Sequence, residues 1–138
     1  MTGPSVHTTR IRVRGYHLDV YGHVNNARYL EFLEEARWSF VESARPLSWW
    51  HDQGLAFVVA SITISYRRPA ELDTELVIES RMARIGGRSA VIHQDVRNGG
   101  TGEVIADADI TFVVVSRESG RPVALKDELR AALSGDGA

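Results

Sequence analysis

The run Tyr16 to Tyr29, YHLDVYGHVNNARY, sets an acid, imidazoles, a glycine and paired asparagines immediately before a helical pattern. Asp19 falls on a turn, Gly22 frees the backbone to bend tightly, and Asn25 or Asn26 caps the following helix by accepting from its first free N–H groups. A helix start also carries unpaired donors and a partial positive charge. A substrate carbonyl placed there would have its oxygen polarised beside a carboxylate, an arrangement suited to acyl transfer to water. Taken singly, Asp, Gly and Asn serve turns and caps on conformational grounds alone. The order D-x-x-G-H-V-N-N-x-x-Y, entered from a strand and leaving into a helix, is far more restrictive.

Upstream of the turn, His7 to Arg14 alternates, with Thr9, Ile11 and Val13 on one face and Arg10, Arg12 and Arg14 on the other, the pattern of a half-buried strand. Downstream, Tyr29, Leu30, Phe32, Leu33, Ala36, Phe40 and Val41 recur at three- and four-residue spacing from Asn26 to about Ala44, and Pro46 ends the pattern. Further strand-like runs follow. Val58, Ala60, Ile62, Ile64 and Tyr66 are expected to share one face, as are Leu76, Ile78, Ser80 and Met82. After a turn at Gly86-Gly87, the run Arg88 to Arg97 puts Ala90, Ile92, Gln94 and Val96 together. Beyond the turn at Asn98-Gly99-Gly100, Val104, Ala106, Ala108, Ile110, Phe112 and Val114 form the last inward face, and Lys126 to Leu133 reads as a short closing helix.

A strand, a long helix and then a meander of strands excludes a doubly wound fold, which needs helices between parallel strands. The expectation is an α+β domain in which a curved antiparallel five-strand sheet wraps one central helix. At 138 residues the chain reads as a single domain, 1–138, with about 1–6 and 134–138 loose. A domain of this size buries roughly two thirds of its unfolded surface, enough for a core without staples.

Composition narrows the chemistry. With no cysteine, thiol catalysis, disulfides and zinc-cysteine sites are excluded. A net charge of −2 with both signs scattered argues against a dedicated nucleic-acid binder. The opening MTGPSVHTTR has no apolar core of signal-peptide length, and no later run approaches a membrane span, so a cytoplasmic location is expected. No G-x-S-x-G, Walker or G-x-G-x-x-G pattern supports a serine esterase, nucleotide or dinucleotide site. His17, Asp19 and His23 have ligand chemistry, but imidazoles beside a turn more often hydrogen-bond locally, and no metal is expected.

Through Asp19, Gly22, His23, Val24, Asn25, Asn26 and Tyr29 the chain resembles the hotdog-fold acyl-CoA thioesterases of the 4-hydroxybenzoyl-CoA thioesterase type. The segment I-x-Y-R-R-P-A-E-L-D-T-E-L from Ile64 to Leu76 extends the resemblance over nearly the whole length. It implies a hotdog fold and Asp19 as the catalytic acid, either as nucleophile through an acyl-enzyme anhydride or as general base on water. It also implies a backbone N–H at Asn26 or a neighbour as oxyanion donor. His23 orients substrate or water, or packs in the turn. Gly22, Val24, Asn25 and Tyr29 shape the substrate site, with Tyr29 reading more as core than catalyst.

Glu31, Glu34 and Glu35 offer a second carboxylate, with Glu35 the runner-up acid, although Arg28 and Arg37 are spaced to pair with them. Relatives of this type often carry another acid at the position of His17 and a smaller residue at that of Tyr21. No cofactor is implied beyond coenzyme A as part of the substrate. Its phosphates need cationic partners, for which Arg67, Arg68, Arg81, Arg84 and Arg88 are candidates, with Arg88 and Ser89 at the turn favoured. An acyl-carrier-protein thioester is the alternative substrate. A non-catalytic acyl-CoA-binding module and a hotdog hydratase or dehydratase are the competing readings. One helix covers one face of the sheet, so its edges and the Trp49-Trp50 region are expected to be apolar surface that a homodimer or dimer of dimers covers.

Overall fold

Alternation of apolar and polar residues produces five strands, and the computed structural model describes residues 5–135. They are β1 (His7–Arg12), β2 (Leu55–Tyr66), β3 (Glu75–Ile85), β4 (Ser89–Asn98) and β5 (Val104–Ser116), and they form one antiparallel sheet in the order β1-β3-β4-β5-β2. The sheet is open, with β1 and β2 as its edges. Helix α1 (Asn26–Ala44) runs across the concave face, as the apolar spacing predicted. It buries Tyr29, Phe32, Leu33 and Ala36 against Leu76, Ile78, Val96, Ala106, Ala108 and Ile110. Alanine at 106 and 108 leaves room for the helix to approach the strands.

Bulges bend the sheet around that helix. They lie between Val59 and Ser61, between Met82 and Arg84, and opposite Val96 and Arg97. The first corrects the expected face of β2. Up to Val59 the inward residues are Leu55, Phe57 and Val59, paired with Ser116, Val114 and Phe112; beyond Ala60 they are Ile62, Ile64 and Tyr66, paired with Ile110, Ala108 and Ala106. Val58 therefore faces outward and Ala60 is the inserted residue, because the extra residue reverses the parity of the strand. The third bulge brings Ile105 into the core in addition to Ala106.

The structure adds one helix that the sequence does not announce and holds the expected closing helix. Residues Leu47–Asp52 form α2, whose Trp50 is 1% exposed and packs its ring 4.8 Å from that of Phe57. Trp50 is thus core, not the exposed apolar surface the sequence suggested, because the short helix turns it onto the end of the sheet beside Phe112 and Val114. Helix α3 (Asp127–Ser134) closes the same end with Ala132 and Leu133, and left-handed Gly135 stops it. Ser134 belongs to this helix, whereas Ser5 and Val6 carry no regular structure; residues 1–4 and 136–138 of the expected loose ends lie outside the described residues. The first strand ends at Arg12, two residues short of the expectation. Val13 then bonds with the loop before β3 through Thr74 O at 2.9 Å and Asp73 N at 3.0 Å.

Candidate active site

Between β1 and α1 the chain makes a loop held at both ends by His17. A short 3-10 turn (Gly15–His17) buries its ring edge-on against Phe32 at 4.8 Å. Ring Nδ1 accepts the Arg14 N–H at 2.8 Å, and the carbonyl of His17 accepts the Asn25 N–H at 2.9 Å. Burial, then the Arg28 charge, pushes the imidazole below the ordinary histidine value, against an opposing pull from Glu31. A neutral ring with Nδ1 accepting carries its proton on Nε2. His17 is therefore an anchor of the loop, and its Nδ1 lone pair is already used.

Within the loop, Leu18 and Val24 pair as an isolated bridge, and Asp19 and His23 are joined by an N–H···O bond of 2.8 Å. Gly22, at φ +79°, supplies the left-handed residue that lets the chain reverse. Asp19 Oδ1 accepts the N–H groups of Tyr21 at 2.8 Å and His23 at 3.3 Å, which fixes the carboxylate. No donor among the described residues reaches Oδ2. The loop is tied down by buried Val24, whose N–H donates to Ala70 O at 2.9 Å.

The helix start follows at once. Asn25 caps α1, its Oδ1 accepting the Ala27 N–H at 2.9 Å and its carbonyl the Arg28 N–H at 2.9 Å. Among the described residues this leaves the Asn26 N–H without an acceptor, at the positive end of the helix. Asp19, His23, Val24, Asn26 and Tyr29 line one open cleft, whose far wall is Tyr66, Arg67, Arg68 and Pro69. The cleft thus combines a fixed carboxylate with a free oxygen and an unpaired helix-start donor.

The sequence places Tyr66 on a strand and in the Ile64–Leu76 run and assigns it no role at the site. In the structure its hydroxyl donates to Asn26 O at 2.9 Å, clamping the end of β2 to the first turn of α1. The signal for it was its place in the Tyr66-Arg67-Arg68-Pro69 run. Tyr29 lies beneath, its ring 5.5 Å from that of Tyr66. Burial, then the neighbouring Tyr66, pushes its phenol up to about 12, while a hydrogen bond with the Ala70 backbone pulls the other way. Tyr29 stays protonated and supports the site from below.

Arg67 and Arg68 stand at the rim with partners of their own. Arg67 grips Asp107 at 2.8 and 3.3 Å, and Arg68 meets Glu103 at 3.1 Å. The hydrogen bond from Arg67 holds the Asp107 carboxyl below its usual value despite some burial. The chain does not bring Arg88 and Ser89 to this cleft. They lie at the other end of β4, where Ser89 pairs with Val113, about 23 Å along the strand from Val96. Nor do the helix acids enter: Glu31 pairs with Arg28 at 2.8 Å, and exposed Glu35 lies beside Trp38 and Ser39 on the far side of α1. No group of three or more His, Cys, Asp or Glu residues among the described residues is placed to hold a metal ion, and no helix there is long and apolar enough to cross a membrane.

A long helix cradled in an open antiparallel sheet, with an acid-bearing turn at the helix start, puts the chain among the hotdog-fold thioester hydrolases. Residues 13–133 match the thioesterase-like superfamily, and the chain belongs to that family. It is 50% identical over 125 residues to the long-chain acyl-CoA thioesterase FadM of Escherichia coli, covering 91% of this chain and 95% of that one. The acyl-CoA thioesterase YbgC of Haemophilus influenzae is 29% identical over 124 residues, covering 88% and 90%. The crystal structure of the probable thioesterase YbaW from Escherichia coli superposes with a TM-score of 0.86 at 48% identity, covering 93% and 96%.

Proposed function

We propose that the protein hydrolyses acyl-CoA thioesters, with a carrier-protein thioester as the alternative donor, and that Asp19 and the Asn26 N–H carry the reaction. The observation that supports this most directly is the juxtaposition, in one cleft, of a carboxylate with a free oxygen and a helix-start N–H with no acceptor. The thioester carbonyl oxygen accepts from Asn26 N–H, and the helix dipole stabilises the charge that develops on it. Asp19 then acts in one of two ways. Its oxygen attacks the carbonyl carbon, expelling the thiolate and leaving a mixed anhydride that water cleaves; or it takes a proton from the water that attacks. An acid in the loop before the helix, and none from the helix itself in the cleft, supports placement with the 4-hydroxybenzoyl-CoA type. His23 orients the substrate at the cleft wall, and Arg67 and Arg68 meet the anionic coenzyme at its rim.

The enzyme works as one domain in the cytoplasm, needs no cofactor beyond the coenzyme A of its substrate, and assembles through β2. That edge strand leaves its backbone unpaired and exposes Val58, Val59 and Ile62. Antiparallel pairing of two β2 edges about a two-fold axis gives a homodimer, with a dimer of dimers as the next assembly. The inversion carries a second copy's Arg88 and Ser89 to the same end of the joint sheet as this cleft, in reach of an extended coenzyme. A thiol-release assay over acyl-CoA and carrier-protein thioesters tests the reaction: turnover is expected, and binding without turnover would replace it with a non-catalytic acyl-CoA-binding module.

A further inference from the structure

Three turns down α1 from the cleft, Arg37 stands in an apolar groove with few partners. Asn26, Leu30, Leu33, Arg37 and Val41 follow one another at three- and four-residue steps and so share a stripe of the helix, Arg37 lying about 16 Å beyond Asn26. The opposite wall is the inward face of β2, which runs from Tyr66 in the cleft through Ile64 and Ile62 to Val59 and Phe57. At its far end the groove is lined by Trp38, Phe57, Val59 and Phe112 around Arg37, with exposed Glu34 at its rim. Leu30 and Ile62, placed between the cleft and this groove on α1 and β2, and Val59 in its wall stay 39%, 37% and 42% exposed, so apolar surface is offered along the distance to the arginine.

Arg37 is held in place by a built polar cluster. Gln94 and Ser80 are fully buried beneath α1. Gln94 Nε2 donates to Leu33 O at 3.1 Å and Ser80 Oγ at 2.9 Å, so the amide is oriented and its Oε1 turns to Arg37 Nη1 at 3.2 Å. That is the guanidinium's only hydrogen bond among the described residues, and no carboxylate lies within 4 Å of it. Burial pushes its pKa down, with Glu34 opposing from a distance. Taking a guanidinium out of water is costly unless its donors meet acceptors, and this half-buried one has a single protein acceptor among the described residues in a groove lined largely by apolar side chains.

We propose that Arg37 receives an oxygen borne by the acyl chain roughly a dozen carbons from the thioester, making long oxygenated acyl groups, hydroxylated or ω-carboxylated, the preferred substrate class. The proposal rests on the thioesterase reading. An unsubstituted chain reaching this depth strips water from the guanidinium and offers nothing in return, whereas a hydroxyl or carboxylate completes its hydrogen bonding. Arg37 touches the chain far from the reacting atoms, so it acts on selectivity and appears in KM more than in kcat.

The test compares kcat/KM for three acyl-CoA thioesters of about 14 carbons: unsubstituted, ω-hydroxylated and ω-carboxylated. The native enzyme is expected to favour an oxygenated chain by roughly tenfold, through KM. In Arg37→Met the preference should vanish or invert, and in Arg37→Lys part of it should survive. If Arg37→Met does not fold, walking the hydroxyl along the chain of the native enzyme's substrate serves instead, with a maximum expected near the far end. An unsubstituted chain preferred by the native enzyme, an unchanged ratio in Arg37→Met, or a flat profile along the chain would overturn the proposal. So would loss of dimer in Arg37→Met with the ratio intact, which would assign the guanidinium to a carboxylate of the second copy. Hydrolysis of the unsubstituted thioester alone sinks this proposal and leaves the thioesterase reading standing. Absence of any hydrolysis overturns both.

Discussion

Replacing Asp19 by asparagine separates what the carboxylate does for the loop from what it does for the reaction. Oδ1 accepts two backbone N–H groups, at 2.8 and 3.3 Å, and an amide oxygen can accept both. Only the charge assistance of those bonds is lost, costing about 1 kcal/mol and a melting temperature lower by about 4 °C at most. The free Oδ2, by contrast, becomes an NH2 group that can neither attack a carbonyl nor take a proton from water. Turnover should fall by about 10²–10⁴, equivalent to about 2.7–5.4 kcal/mol of transition-state stabilisation. Steady-state thiol release and a thermal melt on the same preparation read the two effects separately. Asp19→Ala is the companion variant: it should be no less inactive than Asp19→Asn yet melt lower, because the Tyr21 and His23 N–H donors lose their acceptor. Turnover within tenfold of the native rate in Asp19→Asn would refute the assignment and move the chemistry to another acid.

Two further outcomes concern the sheet. Ile62→Lys puts a charge on the unpaired β2 edge without removing a fully buried side chain, so light scattering should report a monomer where the native chain is a dimer; a native chain that is already monomeric and fully active would exclude assembly through this edge. On the outer face, His93 bridges Asp109 at 2.8 Å and Asp95 at 2.9 Å. Burial works against the charged ring, but the bonds to Asp109 and Asp95 outweigh it and raise its pKa. The stability this ion triad contributes is therefore complete below the unfolded value of about 6.5 and is lost as pH rises through the raised folded value. Denaturant melts should show the gap between the native chain and His93→Gln narrowing over that interval, whereas a gap independent of pH would show that the ring is not charged in the fold.

How far the sequence could be read depended on whether a pattern was local. The limits of α1 were legible because its apolar spacing, the Asn25 cap and Pro46 all act within a few residues. The inward faces of β3 and β4 were legible because alternation survives along most of each strand, and the acid, cap and helix start of the cleft are neighbours in the chain. What escaped depends on distant partners. The position of the bulge in β2 is set by pairing with β5, and Trp50 is buried by a sheet end that no local pattern announces. Arg88 looked suitable by charge, yet its place at the far end of β4 follows from strand register. Ser80 and Gln94 were placed on inward faces by alternation alone; that two polar residues in the core meant a supported Arg37 became apparent only once α1 lay across them.

The extra residue in β2 has a consequence for how this chain can change. Leu55, Phe57 and Val59 serve the Trp50 end, and Ile62, Ile64 and Tyr66 serve the end at the Asp19 cleft, and one inserted residue keeps both sets inward. Side-chain facing in a strand has the character of a reading frame with a period of two. Loss of Ala60 would shift the frame, turning either the aromatic plug or Tyr66 and its grip on the helix start toward solvent, while a two-residue change would preserve facing and merely shorten the groove. Changes in the length of this strand that keep both sets inward must therefore come in pairs, and each pair moves the far wall of the groove by about 7 Å.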